Sequence, residues 1–159
     1  MADEQYDSII RKAVLAAAAA GPLVLAPVPG PADVAMGAIN GIMLVTIARR
    51  NNQAFDEAAA KRIILGVMAG AGAYYSGVKF FLWIVAKVPG IGMITGAGAT
   101  SAINVAVTLW LAFAMVDLFE RHDSVDAEFC VDFLKQEMKP GVNLRKLKRI
   151  KDFTKRLGG

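Results

Sequence analysis

His122 is the single imidazole of the chain and Cys130 its single thiol, and the carboxylates of Asp117, Asp123 and Asp126 stand within five residues of the histidine. Histidine beside a carboxylate is the usual acid–base pair, because the imidazole titrates near neutrality and the carboxylate orients it. These residues fall where an apolar run gives way to charge, the setting of a solvated helix end, and the chain reads as no enzyme. One cysteine makes no internal disulfide, and one cysteine with one histidine supplies no zinc cluster. Cys130 therefore reads as a buried thiol, and no cofactor or metal is expected.

Phosphate chemistry fares no better. Gly90-Ile91-Gly92 with Gly96 imitates a dinucleotide fingerprint, which works only between a strand and a helix, where glycines let backbone N–H groups approach a pyrophosphate. No strand pattern precedes it here. A GxxxxGK[ST] loop is absent from the sequence, so this chain is not expected to bind a nucleoside triphosphate by that mechanism.

The elements that carry these residues repeat. Val28-Pro29-Gly30 followed by Ala38-Ile39-Asn40 returns as Val88-Pro89-Gly90 followed by Ala102-Ile103-Asn104. The pattern predicts two helical hairpins of unequal length, with tight turns at Pro29-Gly30 and Pro89-Gly90. The expected helices cover about 5–20, 32–51, 57–87 and 91–121, with a proline-rich connection over 21–31 and a linker over 51–56. Asp33 falls in the first turn of the second helix, where a carboxylate meets unpaired N–H groups.

Apolar residues make up 55% of the 159, and mean hydropathy is +0.44. Uncharged runs cover 13–32, 34–48, 63–78 and 88–116, the last of them longer than the roughly 20 residues of a membrane span. The bilayer is therefore a candidate solvent, with the second hairpin expected to cross it and the first interfacial, re-entrant or packed on the second. Arg11-Lys12 before an alanine block resembles a secretory leader. The acidic Asp3, Glu4 and Asp7 and the following prolines argue instead for the first arm of a hairpin.

Small residues form stripes along the two long helices: Gly66, Gly70, Ala73 and Gly77 on one, Gly92, Gly96, Ala99 and Ser101 on the other. Such stripes let helix backbones approach closely in lipid. Asn40 and Asn104, at matching positions of the repeat, are expected to hydrogen-bond across helices. Lys79 is costly in hydrocarbon and is expected to snorkel toward the headgroups near Lys87, with Tyr74, Tyr75, Trp83 and Trp110 as interfacial or helix-packing rings.

Beyond Arg121 the composition changes. Asp117, Glu120, Asp123, Asp126, Glu128 and Asp132 give way to Lys135, Lys139, Arg145, Lys146, Lys148, Arg149, Lys151, Lys155 and Arg156, so the net charge of +4 is a property of the tail. Val125, Phe129, Cys130, Phe133, Leu134 and Met138 predict an amphipathic helix behind an Asp123 or Ser124 cap, ending at Pro140-Gly141. A second apolar stripe, Leu144, Leu147, Ile150, Phe153 or Thr154, and Leu157, lies among basic residues. That helix fits anionic headgroups, at about 1 kcal/mol for each well-placed lysine or arginine, with Arg145, Lys146, Lys148, Arg149, Lys151, Lys155 and Arg156 in contact. Nucleic acid is the rival partner for the same charge, but no stacking platform or nucleic-acid fold accompanies it. The terminal Gly-Gly reads as a frayed helix end, because no β-grasp pattern precedes it.

Pro27-Val28-Pro29-Gly30-Pro31-Ala32-Asp33, the apolar helix to Ile47-Ala48-Arg49-Arg50, the glycine-rich helix, Val88-Pro89-Gly90-Ile91-Gly92 and the last helix with Thr108 together resemble the YcjF-like domain of unknown function over about residues 13–121. The resemblance implies a bacterial, helical, membrane-associated module found alone or beside Era-like GTPase domains, with no catalytic residues to carry over. Any GTPase is then a separate partner, since this chain has no GTPase motif.

The resulting expectation is an all-α protein with a paired-hairpin module over 1–121 and a charged amphipathic tail over 122–159. It anchors or remodels the bacterial cytoplasmic membrane, with the N-terminus, middle linker and tail cytoplasmic by the positive-inside bias, and self-association is open to it. An oligomeric pore lined by Thr95, Thr100, Ser101 and Asn104 is the second reading. A soluble or peripheral helical bundle is the third.

Overall fold

Tyr6, Ile10, Ala13, Val14 and Ala17 recur with the spacing of one helical face, and they are the buried stripe of α1 (Glu4–Ala19) in the computed structural model. The structure describes residues 4–20, 31–70, 74–95, 99–138 and 144–158. Seven further helices follow: α2 (Pro31–Arg50), α3 (Glu57–Gly70), α4 (Tyr74–Lys87), α5 (Pro89–Thr95), α6 (Ala99–Arg121), α7 (Ala127–Glu137) and α8 (Leu144–Gly158). No strand occurs among the described residues, and the all-α expectation is met.

The linker after α2 is shaped by its own residues. Asn52 has φ of 57°, the left-handed region that asparagine tolerates, and around it Asn52 N–H donates to Arg49 O and Gln53 N–H to Ala48 O. These bonds satisfy carbonyls that the helix end would leave open. Asp56 then starts α3, its carboxylate accepting the N–H of Ala59 at 2.7 Å. The α1 and α2 arms run antiparallel, pinned at one end by Tyr6 and Asn51, whose side chains exchange hydrogen bonds, and by Arg50, which donates to Gln5 O.

α6 is the axis of the bundle. It packs against α1, α2, α4, α5, α7 and α8, and its side chains are buried on every face from Val105 to Phe119. A helix that is apolar all round finds its place in a protein core or in lipid. Here it is in the core: Ala102–Arg121 is the one described stretch long and apolar enough to cross a membrane, and 94% of its most apolar window is buried inside the protein.

Several expectations change. The helix expected over 57–87 is described as α3 and α4, which pack on different neighbours, α3 on α2 and α7, α4 on α6 and α5. The helix expected over 91–121 is described as α5 and α6. Pro89 and Gly90 open α5 instead of forming a free turn, with Val88 alone between helices, because proline lacks an N–H and has the φ of a first helical residue. The turn expected at Pro29-Gly30 lies outside the described residues, as do 71–73 and 96–98 of the second hairpin. Asp126, not Asp123 or Ser124, caps α7, accepting the N–H of Phe129 at 2.8 Å. α7 and α8 also lie against the rest of the bundle, α7 on α3 and α6, α8 on α5 and α6.

Candidate functional site

The ends of the bundle differ in charge. Tyr6 meets Asn51, Phe55 stacks edge-on with Phe119, and the Gln53 amide donates to Asp123 O. These contacts gather the start of α1, the end of α2, the start of α3 and the end of α6 at one end. The opposite end follows from the same directions. Asn104 meets Ala17, so the end of α1 and the start of α6 stand together, and a Cβ on Gly41 would lie 3.9 Å from Ile64 Cδ1, so the middles of α2 and α3 face each other.

Arg49, Arg50, Lys61, Arg62, Arg121 and Asp123 belong to the first end. Asp33 is the one charged residue in the runs 13–48, 63–78 and 91–116, whose described helices build the second. Large apolar side chains are exposed on its outer helices: Leu15, Ile42 (67% exposed) and Leu65, with Leu82 on α4. Lys79 is exposed on α4, Trp83 is half-buried and Trp110 is core.

Polar side chains inside the bundle join helices. Thr108 Oγ1 on α6 donates to Asn40 Oδ1 on α2 at 3.0 Å, and Asn104 Nδ2 donates to Ala17 O on α1 at 3.1 Å. All three side chains are buried. A hydrogen bond satisfied in this setting fixes the relative placement of three helices.

The basic set on α8 divides in two. Arg156 makes a bidentate pair with Asp7 on α1, 2.8 Å at each contact; Arg149 pairs with Glu120 on α6 at 3.1 Å; Lys146, buried, pairs with Glu137 on α7 at 2.9 Å. The same three cations sit over the rings of Phe153, Phe113 and Phe133 at 5.7 to 5.9 Å. Arg145, Lys148 and Lys155 face solvent, and Lys151 is half-buried. Three of the seven cations expected at a lipid surface are therefore paired with the protein's own carboxylates.

The glycines separate similarly. A Cβ on Gly66 would come within 2.8 Å of Val131 Cγ2, so α3 and α7 approach through that position; one on Gly92 would meet nothing within 4 Å, so that glycine mediates no packing in this arrangement. At Gly90 a Cβ would lie 2.6 Å from Thr154 Oγ1, which brings α5 against α8. Pro29, Gly30 and Gly96 lie outside the described residues, as do the surroundings of Gly70 and Gly77.

His122 and its acidic neighbours do not converge. The imidazole packs edge-on to Phe129, 4.9 Å between centroids, while Asp117 pairs with Arg121 at 3.3 Å and Asp126 is the α7 cap. Among the described residues no group of three His, Cys, Asp or Glu is arranged to hold a metal ion. Phe129, expected on the buried face of its helix, is exposed. Burial, reinforced by the negative Asp126, pushes the Cys130 thiol from 9.0 up to about 12.

No family model, curated protein or solved structure matches this chain. The YcjF-like resemblance therefore rests on the patterning of residues 13–121 alone. The three ion pairs of α8 were not expected from sequence; the acidic stretch before the basic one supplies only Glu120, while Asp7 comes from α1 and Glu137 from the end of α7.

Proposed function

We propose that this chain is a non-catalytic, membrane-associated helical module that seats its uncharged end in the bacterial cytoplasmic membrane and keeps its charged end, α7 and α8 on the cytoplasmic side. The observation that carries this reading is the gathering of nearly charge-free helix ends at one end of the bundle, with Leu15, Ile42 and Leu65 exposed along the outer helices that lead to it. A surface of that kind meets water at a cost and hydrocarbon at a gain, at roughly 25 cal/mol for each Å² of apolar area. Burial of α6 favours insertion of an end over a hairpin that crosses, since the most apolar helix already has protein neighbours.

Membrane lipids, especially anionic headgroups met by Arg145, Lys148, Lys151 and Lys155, are then the first partners. Anchoring or bending the membrane is the role such a seat supports. A separate GTPase is the protein partner that the YcjF-like resemblance implies. The pore reading has less support, because Asn104 and Thr108 spend their hydrogen bonds on α1 and α2.

Fractionation of bacteria expressing the chain tests the proposal. The protein is expected in the membrane pellet and is expected to stay there through high salt. Recovery as a detergent-free soluble monomer would overturn it.

A further inference from the structure

Resting on that membrane reading, we propose that α8 is a strap that leaves the bundle at an anionic bilayer, exchanging the carboxylates of Asp7, Glu120 and Glu137 for lipid phosphates. A basic amphipathic helix has two stable surroundings, an acidic and apolar protein surface or an anionic interface, and it moves to whichever offers more. The bundle supplies the first. Leu147, Ile150 and Phe153 are buried, and Lys146, Arg149 and Arg156 pair with the carboxylates of Glu137, Glu120 and Asp7. A bilayer with anionic lipid offers phosphates to inward and outward cations together, and an apolar layer for the stripe.

The closed strap also leaves a polar group poorly served. Trp110 Nε1–H is buried with no acceptor among the described residues, and the Trp110 side chain lines a groove with Phe80, Trp83, Ile84, Lys146, Leu147 and Ile150 that has no room for a water molecule. A buried donor without an acceptor carries its full desolvation penalty. Removing α8 takes away three walls of that groove, Lys146, Leu147 and Ile150, and opens the surroundings of the Trp110 ring. Two of the three ion pairs have partners about a third exposed, where counter-ions and lipid charge compete with them.

Thr154 reads the position of the strap, because it is 5% exposed beneath α8 and against Gly90. The full-length Thr154→Cys protein is incubated with a maleimide alone, with phosphatidylcholine vesicles, with vesicles containing phosphatidylglycerol, and with inorganic phosphate. Mass spectrometry counts the labels, and co-sedimentation reports binding. Native Cys130, buried under α7, is the control for wholesale unfolding.

We expect one label per chain, added about tenfold faster or more with phosphatidylglycerol vesicles and at the basal rate in the other three conditions. Asp7→Asn with Glu120→Gln should lower the phosphatidylglycerol fraction needed, and Arg145→Gln with Lys148→Gln and Lys155→Gln should raise it. Co-sedimentation with an unchanged labelling rate overturns the strap and leaves the membrane reading standing. Failure to co-sediment with either vesicle overturns both. Equal acceleration by phosphatidylcholine or by phosphate removes the anionic bilayer as the trigger, and a second label shows unfolding in place of a strap; either result overturns the proposal.

Discussion

Cys130 and the buried amide–hydroxyl pair show how single side chains act here. Because burial raises the thiol from 9.0 to about 12, the folded chain keeps a proton that the unfolded chain releases above pH 9. Cys130 therefore contributes stability that is complete below pH 9 and is lost as pH climbs toward 12. Urea unfolding at pH 8 and pH 10 should show the decline, and Cys130→Ala should lessen it. Thr108→Val removes the donor to Asn40 Oδ1 and leaves a buried amide oxygen with less than it needs, a loss of about 1 to 3 kcal/mol readable in the same assay. Asn40 and Asn104 stood out in sequence because an amide in an apolar helix requires a partner. Which atom supplies it, Thr108 for one and the Ala17 carbonyl for the other, depends on how three helices meet, and no local pattern encodes that.

Helix existence was legible from period and caps, and helix breaks were not. The ends of α1 and α2 fall within a residue or so of expectation, since Arg49-Arg50, Asn51 and Asn52 mark a boundary in charge and conformation. Residues 71–73 and 96–98, between α3 and α4 and between α5 and α6, lie outside the described residues, and in sequence their glycines and alanines suit a stripe and an interruption equally. Gly66 and Gly92 make that ambiguity measurable, because both read as stripe positions and only Gly66 has a close neighbour. Gly66→Leu should force α3 and α7 apart at Val131 and cost about 1 to 3 kcal/mol. Gly92→Leu, built into open space, should leave stability unchanged or raise it slightly, since leucine is the better helix former. Thermal melts of the two variants, compared with the parent, distinguish a packing glycine from an incidental one.

At the scale of the whole molecule, the uncharged runs in the sequence build one end of a bundle, because the end of α1 meets the start of α6 there, away from the charged end of α2. The sequence showed those runs as candidate spans, but not that the most apolar of them would be wrapped by six other helices, since a core helix and a membrane helix share a composition. What the bilayer meets is therefore decided by the outer helices, where Ile42 is the most exposed of the large apolar side chains. Ile42→Lys and Leu65→Lys place charge on that surface without disturbing the core, so each should shift stability by no more than about 0.5 kcal/mol. Together they should weaken vesicle binding about tenfold or more, because a lysine in hydrocarbon costs what an isoleucine or leucine gains several times over. Flotation with vesicles, alongside urea unfolding of the same proteins, separates the two effects. Retained stability with lost flotation is the expected pairing. Undiminished flotation of the folded double variant would mean that the uncharged end is not the seat, and would leave α8 as the only contact with lipid.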